Sequence, residues 1–285
     1  MKKLSSLSVL MLLLLQACGA ISASAPAQPN VETVVAATLN AVTQQAANAP
    51  TESSGTAINF QNVNFVIPQG LGSGANGEVV PLVDESQGPW GVAPEHQLFT
   101  LQDYPAPSED GFDAVIRIYP AQAYADVNPW AEGSIDRLRA ILASPGMTIT
   151  NDNAPTVPFN GAAAQQYAAQ IQRLSFNSGN GIRMISQYGQ FPGPITKNNS
   201  FYHYEGLTSD GKYLVAALLP VTLPLQSTSE NPSADGVVYP ADISDSEGLT
   251  GYYQGITDVL NAASPDSFKP TLTQLDALIQ SIAVQ

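Results

Sequence analysis

One cysteine, two histidines and ten Lys plus Arg are all that this chain of 285 residues holds of the groups that carry most protein chemistry. With Cys18 as the single cysteine, an intramolecular disulfide and a thiolate metal cluster are both excluded. A serine triad needs an imidazole base, a serine on a sharp turn and a carboxylate behind the base, yet no G-x-S-x-G occurs and the histidines are His96 and His203 alone. Two histidines with scattered carboxylates also lack metal-ligand spacing, so both read as structural, and no metal or other cofactor is expected. Charged residues make up only 12% of the chain, about half of the ~25% usual for soluble domains. The 38 Asn and Gln outnumber the 34 charged residues, so the polar surface is built largely from amides and hydroxyls. Acidic groups dominate, 24 against ten, which gives a net charge of −14. Such a surface repels phosphate backbones and anionic headgroups, so nucleic-acid binding and electrostatic docking to a membrane are not expected.

What is present begins with an address. Met1-Lys2-Lys3 is a short positive segment, and Val9 to Leu15 is an apolar run too short to stay as a membrane span, the pattern of a cleaved export signal over residues 1–17. Leu15-Gln16-Ala17-Cys18, followed by Gly19, resembles the lipobox of bacterial lipoproteins. The resemblance implies a diacylglyceryl group on the Cys18 sulfur, cleavage before Cys18, acylation (palmitate) of the new amino terminus, and a membrane-attached, extracytoplasmic protein. Two or three acyl chains anchor stably where one is marginal. With Lys2 and Lys3 removed the chain carries eight basic and 24 acidic side chains, a balance of −16. No later stretch offers 18 consecutive apolar residues; the best run, Tyr213 to Leu225, is broken by Pro220 and Pro224 and reads as a strand.

Residues 18–56 read as linker and spacer. The Ala, Ser and Pro composition of Gly19 to Asn30 suits a linker, and Val31, Val34, Val35, Leu39 and Val42 recur at helical spacing within Val31 to Ala47. Residues 57–285 are expected to form one globular domain. Val63, Phe65 and Ile67 alternate with polar or outward positions, and Ala114, Ile116 and Ile118 alternate with Val115, Arg117 and Tyr119; each run is closed by a proline. Tyr167 to Phe176 with Ile182 to Tyr188, and Phe201 to Leu207 with Tyr213 to Leu219, read as hairpins around turn-forming segments. Helices are expected after Asn128-Pro129, over Tyr252 to Ala263, and from Pro270 with Leu272, Leu275, Leu278, Ile279 and Ile282 on one face. The order lacks a βαβ rhythm, so the expected class is α+β: a largely antiparallel sheet flanked by helices as an α/β/α sandwich. That order, with the Ser209-Asp210-Gly211-Lys212-Tyr213 turn and a final helix ending in Gln280-Ser281-Ile282-Ala283-Val284, resembles the Mog1/PsbP-like fold over most of residues 57–285. The resemblance implies an assembly factor or binding module without a catalytic centre.

Gly72-Ser73-Gly74-Ala75-Asn76-Gly77 satisfies G-x-G-x-x-G, but Glu78-Val79-Val80-Pro81 cannot be the helix that a pyrophosphate loop requires, so a flexible loop is expected. Asp242, Asp245 and Glu247, with Asp235 nearby, form an acidic loop without the EF-hand order, read as a solvated segment that caps the following helix. Aromatics are the residual signal. Tyr188, Phe191, Tyr202 and Tyr204 gather in the hairpin half beside Gln and Asn residues, which suits stacking on a glycan or an extended peptide, neutral or cationic given the charge balance. Cross-strand packing explains the same tyrosines. Three readings follow: a non-catalytic lipid-anchored module for a protein, peptide or glycan ligand; an envelope hydrolase pairing Glu205 or Asp210 with Glu95, as glycosidase chemistry requires; and a structural surface protein.

Overall fold

The computed structural model describes residues 55–87, 91–109, 111–157 and 163–285. The expected signal segment, Cys18 and the helix over 31–47 lie outside these residues. Among the described residues are ten strands: β1 (Gly55–Phe60), β2 (Val63–Pro68), β3 (Gly74–Val80), β4 (His96–Gln102), β5 (Val115–Pro120), β6 (Ala164–Phe176), β7 (Gly179–Gly189), β8 (Ser200–Thr208), β9 (Tyr213–Val221) and β10 (Ala283–Val284). Four helices accompany them: α1 (Ala121–Val127), α2 (Pro129–Ala143), α3 (Ser246–Ala262) and α4 (Leu272–Gln280). The fold is mixed α+β. Seven strands form one antiparallel sheet in the order β3-β4-β5-β9-β8-β7-β6, and β1-β2-β10 form a smaller antiparallel sheet.

The central strands are buried almost throughout, and their side chains alternate between apolar clusters. On β9, Val215, Ala217, Leu219 and Val221 enter one apolar cluster, which also contains Tyr252, Ile256 and Leu260 of α3, four residues of α4, and Val63, Phe65 and Ile67 of β2. The intervening Leu214 and Ala216 enter a second cluster with Ala121 and Tyr124 of α1 and Ala131, Ile135, Leu138 and Ile141 of α2. Leu218, next in that alternation, lies outside this second cluster; it belongs to a small third one with Val115, Tyr188 and Phe201. The part of this sheet face that α1 and α2 leave over β4 and β5 is where the candidate site lies.

The cap on α2 is the one that the sequence suggests, whereas α3 begins at Ser246, ahead of the expected Tyr252, and α4 is capped by Thr271 rather than opened at Pro270. The Asn128 side chain accepts from the Trp130 and Ala131 amides at 3.0 and 3.2 Å, with Pro129 at the first helical position. Its amide nitrogen donates to the Val92 carbonyl at 2.9 Å, so the same residue fixes the loop before β4. Asp245 accepts from the Gly248 amide at 2.9 Å and starts α3, while Thr271 and Gln274 form a reciprocal capping box on α4.

Two local expectations are corrected. The glycine-rich segment is not a loop beyond Ser73: Gly74–Val80 is strand β3, paired in register with β4. A Cβ at Gly77 would sit 3.0 Å from the Phe60 ring and 3.2 Å from the Phe99 ring, so this glycine permits close packing between the sheets. Strands β1 and β10 and helix α1 also have no counterpart among the sequence expectations: the last helix, expected to end in Ala283-Val284, stops at Gln280, and Ala283–Val284 pairs with β2 instead. β1 is largely exposed and so carries little hydrophobic alternation, and α1 directly follows Pro120 with only Ala121 and Tyr124 buried.

The edge strand β6 carries register irregularities on either side of Tyr167 to Ala169, and Gln170 adopts φ 53°. The Gln170 amide donates to Asn261 Oδ1 at 2.6 Å and its side chain donates to the Leu260 carbonyl at 2.7 Å, tying the edge to the end of α3. A bulged, tethered edge is a poor template for pairing with a further strand.

Candidate functional site

The aromatic group expected from the sequence is not one surface. Tyr202 and Tyr204 point into the first cluster and are fully buried. Tyr202 donates to Asp276 Oδ1 at 2.7 Å, and Tyr204 donates to the Leu174 carbonyl at 3.1 Å. Tyr188 lies on the opposite face, edge-on to Phe201 at 5.2 Å, and Phe191 is 75% exposed in the loop after β7. Strand alternation is the reason: Tyr202 and Tyr204 share a parity on β8, whereas Tyr188 belongs to the other face of the sheet.

The carboxylates of the hydrolase reading are likewise apart. Asp210 is exposed and ion-paired to Lys212 at 2.8 Å, Glu95 is exposed ahead of β4, and Glu205 is fully buried. Glu205 accepts from His203 Nε2 at 3.0 Å, from the Val157 amide, and from Ser134 Oγ at 3.5 Å. His203 Nε2 also donates to the Val157 carbonyl at 2.9 Å, and Ser134 Oγ accepts from the Thr156 amide at 2.7 Å. Burial pushes the Glu205 carboxyl above its ordinary range, against the pull of these donors. Serine, glutamate and histidine are adjacent here, but the serine addresses the carboxylate rather than the imidazole and His203 and Glu205 show no solvent exposure. The cluster pins the chain at 156–157 onto the sheet.

A different place offers access. A cleft of about 510 Å³ opens over β4 and β5, between the segment before β4 and Phe112 and Asp113 ahead of β5. One wall is a run of three rings: His96 lies 4.4 Å from Tyr119, and Tyr119 lies 4.4 Å from Tyr124, each pair tilted by 32°. Pairing of β4 with β5 sets His96 beside Tyr119 and Leu98 beside Arg117, so the ring wall and the guanidinium are neighbours in the lattice of the sheet. Phe112, Leu98 and Leu218 supply apolar lining, and Asp113 is exposed at the same cleft.

Two side chains in this cleft keep polar atoms that are unpaired among the described residues. Arg117 is half-buried, and of the five arginines it alone makes no hydrogen bond or ion pair among the described residues; Arg137, Arg139, Arg173 and Arg183 are all anchored. His96 donates from Nδ1 to the Pro94 carbonyl at 2.9 Å, since a carbonyl only accepts, while its Nε2 has no partner and is not sealed from solvent. Burial in the first place, and the Arg117 charge beside it, hold His96 below its ordinary value despite the Pro94 carbonyl. At neutral pH the ring is therefore uncharged, with Nε2 as an acceptor. Burial likewise pushes the Tyr119 hydroxyl up to about 12.

Other clefts differ in this respect. In the one beside α2, Arg173 is committed to the Ile141 and Ser144 carbonyls at 2.7 and 2.8 Å. In the larger one between β6 and α3, of about 620 Å³, Gln166 donates to two backbone carbonyls and accepts from Tyr253. The acidic loop residues are also occupied: Asp235 accepts from the Gln226 and Ser227 amides, Asp242 from Ser244, and Asp245 caps α3.

The sequence reading set Arg117 among the outward positions of its strand and did not single it out. Its signal was present: one cation inside the run Val115-Ile116-Arg117-Ile118-Tyr119, where an apolar or neutral residue would suit a covered sheet. Comparison with family models, with curated proteins and with solved structures finds no match.

Proposed function

We propose that the chain is an extracytoplasmic lipoprotein, held to a membrane by acyl chains on Cys18, whose domain binds a small ligand in the cleft over β4 and β5 and does not transform it. The observation that carries the binding reading is Arg117, a half-buried guanidinium left unpaired in a chain with 24 acidic side chains. Partners for it were abundant in the sequence, and none pairs with it among the described residues. Its nitrogens are open to the cleft and uncommitted among the described residues, so a ligand entering there meets free donors on a wall of apolar side chains and rings. The lipobox carries the anchoring reading, and the helices on the two faces of the antiparallel sheet support an α/β/α sandwich of the Mog1/PsbP-like kind, whose members bind or assemble rather than catalyse.

Two measurements test this. Labelled palmitate is expected on the wild type and not on Cys18→Ser; label on the variant would overturn the anchor. For the cleft, full chain purified in detergent is screened by thermal shift against neutral sugars, short peptides and small oxyanions. A shift that disappears in Arg117→Gln supports the cleft, and one that survives places binding elsewhere.

A further inference from the structure

We infer that the cleft recognises a hydroxylated monocarboxylate of about sugar-acid size, its carboxylate on Arg117 and a hydroxyl donating to His96 Nε2. This rests on the cleft being the binding site. It specifies an anion where the overall charge of the chain would suggest a neutral or cationic ligand, so the local geometry has to outweigh a global field.

The argument for the carboxylate starts from geometry. A guanidinium presents donors in a planar fork that matches two oxygens of one oxyanion, and such charge-assisted pairs are the strong hydrogen bonds of protein interiors. Arg117 offers that fork without competition, since the nearest carboxylate in the cleft, Asp113, is not ion-paired to it and is exposed. The net charge then discriminates among anions. A balance of −16 after removal of the signal segment penalises each added negative charge, so a monoanion is favoured over a phosphate dianion at the same fork.

The hydroxyl follows from the tautomer. Pro94 fixes the proton of His96 on Nδ1, which leaves Nε2 as a bare lone pair in the cleft that Arg117 also lines, two positions along β4 from Leu98, the register partner of Arg117. A simple carboxylate has no proton to give it, whereas a hydroxy acid supplies acceptor oxygens to the arginine and a donor to the histidine together. The half-buried Thr100 adds a further hydroxyl that is unpaired among the described residues, and Phe112 and Leu218 offer carbon surface to the less polar face of a ring. A cleft of about 510 Å³ falls within the range of small-molecule sites.

The test uses the full chain in detergent and calorimetry at neutral pH with three probes: glucuronate, glucose as its uncharged counterpart, and inorganic phosphate. Glucuronate is expected to bind, to weaken at least about tenfold in Arg117→Gln and in His96→Phe, and to outcompete both other probes. Melting temperatures within a few degrees of wild type confirm that the variants are folded; a variant that fails this is replaced by Arg117→Lys, which keeps the charge but loses the fork and is expected to bind more weakly. Glucose binding as tightly as glucuronate, with both sensitive to Arg117→Gln, overturns the carboxylate and leaves the cleft standing. Phosphate binding more tightly than glucuronate overturns the monoanion argument. Glucuronate binding unchanged in Arg117→Gln overturns the ligand class and the cleft together, and no binding of glucuronate up to about 10 mM overturns the ligand class.

Discussion

Replacing Glu205 separates two things that its position combines, a carboxylate charge and a set of acceptors. The side chain is fully buried and accepts from the Val157 amide, His203 Nε2 and Ser134 Oγ. In Glu205→Leu the Val157 amide loses its partner, at about 1–3 kcal/mol for a buried donor, and the Ser134 hydroxyl loses an acceptor at long range, adding about 0.5–1 kcal/mol. His203 keeps the Val157 carbonyl, so its Nε2 adds little. The expected loss is about 2–4 kcal/mol. Glu205→Gln preserves an oxygen for Val157 and His203 and presents an amide to Ser134, so it is expected to cost under about 1 kcal/mol. Because burial raises the carboxyl, the wild type binds this proton more tightly folded than unfolded; its stability is greatest near and below the ordinary value of 4.5 and declines as pH rises through the higher folded value. Glu205→Gln has no such proton, so its stability is expected to show less decline over that interval. Urea denaturation at several pH values, with a constant slope against denaturant, measures all of this. A Gln variant as damaged as the Leu variant would refute the reasoning, because the charge itself would then be what the fold requires. A Leu variant within about 1 kcal/mol of wild type would show that the segment at 156–157 is held by other contacts.

Three further outcomes are expected. Gly77→Val, which drives a side chain into Phe60 and Phe99, is expected to lower stability by about 1–3 kcal/mol in denaturant titration, and an unchanged midpoint would show that β3 can shift away from β1. Tyr202→Phe removes the 2.7 Å hydrogen bond to Asp276 while leaving the ring in the core; a loss of about 1–2 kcal/mol is expected, and a neutral result would mean that Arg183, 3.3 Å from Asp276, satisfies it alone. Asp245→Ala is expected to cost about 1 kcal/mol through the lost cap on α3 and to leave a calcium titration of the acidic loop unchanged, since Asp235, Asp242 and Asp245 serve separate turns; tight calcium binding abolished by this substitution would contradict that geometry.

Features that rest on short-range periodicity and backbone chemistry are legible in the amino-acid order. Alternation at Val63, Phe65 and Ile67 shows as a strand because a sheet presents every second side chain to the same face, and the two hairpins show as apolar runs on either side of turn-forming segments. Asn128 before Pro129 marks a helix start because orphan amides there need an acceptor within two or three residues, whereas α3 starts at Ser246, ahead of the apolar spacing that begins at Tyr252. The tertiary structure alone decided what depends on strand order. The sequence brings His96 and Arg117 no closer than 21 positions, and only the pairing of β4 with β5 brings them to one cleft, His96 buried in its wall and Arg117 half-exposed. Tyr188 and Tyr202 look alike in the sequence and fall on opposite faces, because parity on different strands is settled by register rather than by residue type. Glu205, which the sequence offers as one carboxylate of a hydrolase pair, and His203, which it offers as structural, lie two positions apart on one strand; that they are sealed beneath the chain at 156–157 follows from a contact about 50 residues distant, for which local sequence carries no signal.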